Sequence, residues 1–168
     1  MLRCLRYLDN GMIVWTLGNI RDKIKYHENA IFSDSFYNTR PGYNISLKIY
    51  PNGDGTAKDK FISIYFVIHR GEYDDKLSWP FQNKLHLSLL SSDSKIPDIT
   101  HKMSPDHNIA CYGRPDFERN RGAGQVEFVP ISEILDKDTY LHGNALKIQF
   151  SVTKSTEDHM LAKPIIRP

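Results

Sequence analysis

Between Pro41 and Ile68 the chain reads PGYNISLKIYPNGDGTAKDKFISIYFVI, two runs of near-strict alternation separated by a glycine-rich connection. In the first run Ile45, Leu47 and Ile49 alternate with Asn44, Ser46, Lys48 and Tyr50. In the second, Ile62, Ile64, Phe66 and Ile68 alternate with Phe61, Ser63, Tyr65 and Val67. Side chains along a strand point to opposite faces with period 2, so each run supplies one apolar row for a core. Asn52-Gly53-Asp54-Gly55 joins them, an NG and a DG in tandem, which predicts a hairpin. Lys48, Tyr50 and Tyr65 then share the opposite face, aromatic groups beside a cation where a plain solvent face carries small polar ones. A half-wet sheet face also favours tyrosine for packing alone.

The rest of the chain continues in short strands. Met12 to Leu17 is a buried strand, Ala30 to Tyr37 a strand followed by a turn, and Leu85 to Leu90, Ile99 to Met103, Gln125 to Val129 and Ala145 to Val152 are further strands. Ile20 to Tyr26 is too short and charged to assign. Ser132 to Leu135 reads as a helical turn capped by Ser132. Leu2, Leu5 and Leu8 predict one or two helical turns over Met1 to Leu8, the remnant of a coiled coil or a frayed terminus. Residues 10–153 form one domain, after residues 1–9 and before a loose tail over 154–168. No long amphipathic helix and no βαβ rhythm occur, so the fold class is all-β, an antiparallel β-sandwich.

With 22 basic and 20 acidic residues in 168, charge is too balanced for a nucleic-acid or anionic-membrane surface. No apolar run is long enough to cross a bilayer, and two cysteines give no disulfide framework, so a cytoplasmic setting is expected. Metal-binding, phosphate-binding and hydrolase motifs (HExxH, CxxC, a P-loop, GxSxG) are all missing from the sequence. Gly122-Ala123-Gly124 is only a fragment of a dinucleotide fingerprint and reads better as strand backbone. His107 and Cys111 form the one conceivable nucleophile pair, against the plainer reading of a buried thiol near a surface histidine. The chain reads as a binding module, not an enzyme, with no cofactor or metal.

Several strings point further: FSDSFYNTRPGY, LKIYPNGDG, ISIYFVIHRGEYD and WPFQNKLHLSLL, in that order. They resemble the C-terminal MATH domain of the tumour necrosis factor receptor-associated factors, over about Asp9 to Thr153. The resemblance implies an eight-stranded antiparallel sandwich and a cytoplasmic signalling adaptor. Such a domain binds short extended peptide motifs from the tails of receptors or upstream adaptors by β-augmentation at a sheet edge. The edge strand falls on Gly122 to Val126, where Gly122, Ala123 and Gly124 let a foreign backbone come close. Groove positions facing the acidic or aromatic end of the peptide fall on Lys48, Tyr50 and Asp54, and apolar pocket positions on Tyr65, Leu87, Met103 and Tyr112.

Two departures from the family pattern matter. Where many members hold a peptide glutamine with three serines, this chain has Ile109-Ala110-Cys111, which lacks those hydroxyls. Arg121-Gly122-Ala123-Gly124 instead resembles the segment of the member that reads Pro-x-Glu followed by an aromatic or acidic residue, and Arg121 is placed to pair with that glutamate. The turn before the last strand is His142-Gly143-Asn144 in place of a basic-Asp-Asp sequence. The family's ubiquitin-ligase activity belongs to a RING, and these residues contain no zinc-binding cysteine array. The resemblance implies a homotrimer where a coiled coil is present. The alternatives are a structural or oligomerising domain with an unused groove, or a substrate-docking module for ubiquitination.

Overall fold

Apolar alternation resolves into two antiparallel sheets. The computed structural model describes residues 6–8 and 11–153. Its elements, in chain order, are β1 (Met12–Leu17), α1 (Ile20–Lys25), β2 (Ile31–Phe32), β3 (Phe36–Tyr37), β4 (Asn44–Tyr50), β5 (Phe61–His69), β6 (Lys84–Leu89), β7 (Ile99–Met103), β8 (Ala123–Pro130), α2 (Ile131–Leu135) and β9 (Leu146–Thr153). One sheet runs β1-β9-β6-β7, and the other β2-β4-β5-β8 with β3 also on β4. β2 and β3 are two halves of one edge strand. Ile31 faces Ile49 and Phe36 faces Ile45, a one-residue slip taken up by Ser33-Asp34-Ser35. Counted as one strand, they make the expected eight.

The rows read from the sequence face each other across the sandwich. Ile45, Leu47, Ile49, Ile62, Ile64, Phe66 and Ile68 from one sheet pack against Leu85, Leu87, Leu89, Leu146, Ile148 and Phe150 from the other, all nearly fully buried. Each such side chain contributes about 1.5–3 kcal/mol by leaving water. The Ile20–Lys25 segment left unassigned is a helix. Ile20 and Ile24, one turn apart, insert into the same core, and Arg21 donates from Nε to the Ile134 carbonyl of α2.

The tandem NG–DG joins β4 and β5 as the expected antiparallel hairpin, through a ten-residue connection over 51–60 that contains a 3₁₀ turn at Gly55–Ala57, and two other local expectations are corrected. Gly53 lies at φ +82°, and a Cβ there would come within 2.4 Å of the Ala57 carbonyl oxygen and 2.6 Å of that of Phe61, so the loop closes on glycine. Ser132 does not cap α2 through its side chain. β8 runs straight into that helix through Pro130, and the Ile131 amide donates to Lys60 O at 2.9 Å, which supplies the partner a cap would have offered. The helical turns expected over Met1 to Leu8 are absent where residues are described: Arg6 to Leu8 run extended beside β3, with Leu8 N donating to Tyr37 O at 2.9 Å and Tyr37 N to Arg6 O at 2.7 Å. Residues 1–5 and the expected tail over 154–168 lie outside the described residues.

Parts of the strings that carried the resemblance, PGY, GEYD and WPF, form a packed aromatic corner. Trp79 Nε1 donates to Asp74 O at 3.0 Å, and Tyr43 meets Trp79 and Phe81 edge-on at centroid distances of 5.0 and 4.7 Å. Gly71 N donates to Asp74 Oδ2 at 3.0 Å, closing the GEYD turn. No helix among the described residues is long and apolar enough to cross a membrane.

Candidate functional site

Among the described residues, β8 has β5 on one side and no strand on the other. Its pairing with β5 is interrupted: Ile62 faces Val129, but Ile64 already faces Gln125, so Ser63 alone stands opposite residues 126–128. The buried Ser63 hydroxyl fills that bulge, donating to Val126 O at 2.5 Å and accepting from Asp54 N at 3.0 Å. One side chain thus couples the open strand to the 51–60 connection.

Beside this edge, on the outer face of β4 and β5, lies a groove of about 500 Å³ lined by Phe32, Lys48, Tyr50, Asp54, Tyr65, Val67 and Arg119 to Gly122. Period-2 alternation is why Lys48, Tyr50, Tyr65 and Val67 reach it together while their neighbours enter the core. Tyr50 and Tyr65 pack edge-on at 5.9 Å. The Tyr65 hydroxyl donates to Asp54 Oδ2 at 2.8 Å. Burial first, and that bond second, push the hydroxyl well above its usual pKa, so it stays a donor at any ordinary pH. Lys48 Nζ lies 4.8 Å from the Tyr50 ring centre and 5.4 Å from that of Phe32, and the Arg119 guanidinium lies 4.5 Å from the same Phe32 ring. Lys48, Arg119 and Arg121 form no ion pair with any described residue.

A second hollow of about 480 Å³ adjoins it across the Arg119–Gly122 ridge, walled by Ile109, Ala110, Cys111, Asp116 and Phe117. Phe117 is 82% exposed and Ile109 48%. Asn120 holds the ridge, donating from Nδ2 to Cys111 O at 3.0 Å and Gly113 O at 2.7 Å, while its backbone amide donates to Ile68 O at 2.9 Å. The Cys111 thiol is pushed up by burial, away from the thiolate a nucleophile requires. No group of His, Cys, Asp or Glu among the described residues is arranged to hold a metal ion.

Of the residues singled out in the sequence, Lys48, Tyr50, Asp54, Tyr65, Arg121 and Gly122 come together in the first groove, and Ile109 and Ala110 in the hollow beside it. Leu87, Met103 and Tyr112 do not. They are 0%, 8% and 6% exposed within the core between the sheets, because their strand parity or turn aims them inward. They belong to the core and offer almost no surface to a ligand. Ala123 and Gly124 line neither cavity, and the backbone Gly124 admits is that of β5. A Cβ there would sit 2.0 Å from Ile64 O and 2.6 Å from Tyr65 Cα, while one at Gly122 would meet Tyr65 Cβ at 2.8 Å. Sequence reasoning missed Phe32, Val67, Arg119, Asn120 and Phe117. Arg119 carried a signal, since an extended segment with Arg at 119 and 121 places both on one side.

Comparison with known proteins adds an independent line. The family model described as TRAF/meprin, MATH domain matches residues 28–149. Human TNF receptor-associated factor 5 is 35% identical over 148 residues, covering 85% of this chain and 26% of that protein. Human TNF receptor-associated factor 1 is 34% identical, covering 88% and 36%, and human TNF receptor-associated factor 2 is 32% identical, covering 83% and 28%. The chain therefore spans about a quarter to just over a third of these relatives' length. The solved structure of Notothenia coriiceps TRAF5 superposes with a TM-score of 0.81 over 89% of this chain and 76% of that one, at 24% identity, a likeness of fold.

Proposed function

The chain belongs to the TRAF/meprin MATH-domain family, and from that premise we propose that it is a cytoplasmic adaptor domain that docks short extended peptides with a central acidic residue, of Pro-x-Glu type, from receptor or upstream adaptor tails. The observation that carries this reading is that, among the described residues, an open strand edge lies beside a groove lined by three cations and one carboxylate, Asp54, itself engaged by Tyr65. A peptide backbone adds to β8, and its side chains turn onto the face. Arg121 at the ridge pairs with the central glutamate. A charge-assisted bond of this kind is stronger than a neutral one, and Ile109-Ala110-Cys111 offers no hydroxyl row to hold a glutamine instead. The adjoining hollow, with Ile109 and Phe117 exposed, suits an apolar flanking residue. The function is binding, with no catalytic step. A single peptide groove gives weak affinity, about micromolar or poorer. Homotrimers formed through a coiled coil supply avidity.

Labelled peptides with Glu, Gln or Ala at the central position, titrated by fluorescence anisotropy, test the reading. Glu binds about tenfold more tightly than Gln or Ala, and Arg121→Ala levels the three. Equal binding of all three peptides by the unmodified chain removes the role given to Arg121.

A further inference from the structure

A strand at the end of a sheet presents unpaired amides and carbonyls, and folds commonly guard such an edge with a charge, a proline, a bulge or short length. Most edges of the described sandwich are guarded. β2 and β3 are two-residue pieces, with Arg6 to Leu8 alongside β3. β7 carries the exposed Lys102. β8 is bulged after Gln125, carries the exposed Glu127 and ends at Pro130. β1 has none of these devices. Its six residues, MIVWTL, hold no charge and no proline, and they pair with β9 without a break from Met12 opposite Ser151 to Leu17 opposite Leu146. Among the described residues no strand lies on its other side.

The bonding pattern fixes which groups face outward. Val152 N donates to Gly11 O, so Gly11 and every second residue after it bond to β9, while Met12, Val14 and Thr16 turn their amides and carbonyls away. No backbone bond outside the β9 ladder involves any of the three. Their side chains share the outer face, where Val14 is 46% and Met12 39% exposed and Thr16 is exposed as well. This edge is complementary to itself. Two antiparallel copies of β1 about a two-fold axis at Val14 set Val14 against Val14 and Met12 against Thr16, and each pair exchanges two hydrogen bonds. A β-branched pair lies at the centre, and the half-buried Ile13 and Trp15 come opposite one another on the inner side. A two-fold contact brings charges near their own copies, and an edge without charge escapes that repulsion. We propose that β1 is a self-association edge, through which a second copy of this chain extends the four-stranded sheet into one of twice that width. Strands this short make an interface at the small end of specific ones, so association is reversible, roughly micromolar or weaker.

This edge is independent of the peptide-docking reading, because β8 meets β7, at the other margin of β1's own sheet. Sedimentation equilibrium of the chain from low micromolar to near-millimolar concentration tests it, with amide hydrogen exchange read by NMR at both ends of that range. A monomer–dimer equilibrium is expected. Met12, Val14 and Thr16 exchange several-fold more slowly at high concentration, while Ile13 and Trp15, already bonded to β9, hold steady. Val14→Lys opposes two like charges at the axis and weakens the dimer about tenfold. Val126→Lys, on exposed β8, leaves the dimer unchanged. Val14 stands on the outer face, so its replacement spares the core, and exchange in the unmodified chain decides the matter even where that variant folds poorly. A monomer at every concentration, a trimer, a dimer indifferent to Val14→Lys or lost with Val126→Lys, or protection of the three amides that does not change with concentration overturns it.

Discussion

Gly124 has no room for a methyl group, because the β5 carbonyl at Ile64 occupies the place its Cβ would take. Gly124→Ala must push β8 away from β5 and should cost about 1–3 kcal/mol, read as a lower denaturant midpoint. Gly18→Ala is the control: nothing lies within 4 Å of its Cβ position and its φ is unremarkable, so stability should move by no more than about 0.5 kcal/mol. A Gly124→Ala variant of full stability would mean that the glycine serves a ligand rather than the sheet. Leu87, Met103 and Tyr112 teach the same lesson from the other side. A residue's type and its match to a family position say that it is apolar, and strand parity decides whether that apolar surface faces the core or the groove. For Lys48, Tyr50 and Tyr65 the alternation itself carries the parity, so the sequence alone assigns the three to one face.

β8 is the element on which the functional reading turns. One side bonds to β5, the other is open among the described residues, and the Ser63 bulge interrupts its middle where residues 126–128 face a single partner. A peptide that adds to this edge should slow hydrogen exchange at the outward amides of 122–126, while β1, an edge of the other sheet, exchanges as before. Unchanged β8 exchange at saturating peptide would place the ligand on the sheet face alone. The segment before β8 is as important. Asn120 ties it to the 3₁₀ turn at Ala110–Tyr112 and to Ile68, which sets Arg119 and Arg121 above the groove. In the sequence that stretch reads only as irregular, since its order comes from bonds to residues far along the chain and not from any period.

Across the molecule, binding strength depends on how many grooves act together. Fusing the chain to a trimeric coiled coil should raise its affinity for a surface of clustered Pro-x-Glu peptides by about 100-fold or more, with no change toward a free peptide. Surface plasmon resonance at high and low peptide density measures this, and equal affinity at both densities would refute it. Of the strings that revealed the family, GEYD, PGY and WPF form a packed aromatic corner around Tyr43, Trp79 and Phe81, while LKIYPNGDG and ISIYFVIH bring Lys48, Tyr50, Asp54, Tyr65 and Val67 to the groove. Alternation in the sequence determined by itself that this chain makes amphipathic strands, and therefore two sheets closed on a core, because a period of two dictates which side chains share a face. The resemblance placed the edge strand at 122–126, where β8 lies, but tertiary structure alone decided how β8 comes to be last in its sheet, that Phe32 slides beneath Arg119, and that Gly124 admits the chain's own backbone. Each of these depends on the order in which distant strands come to lie side by side, and no local period encodes that order.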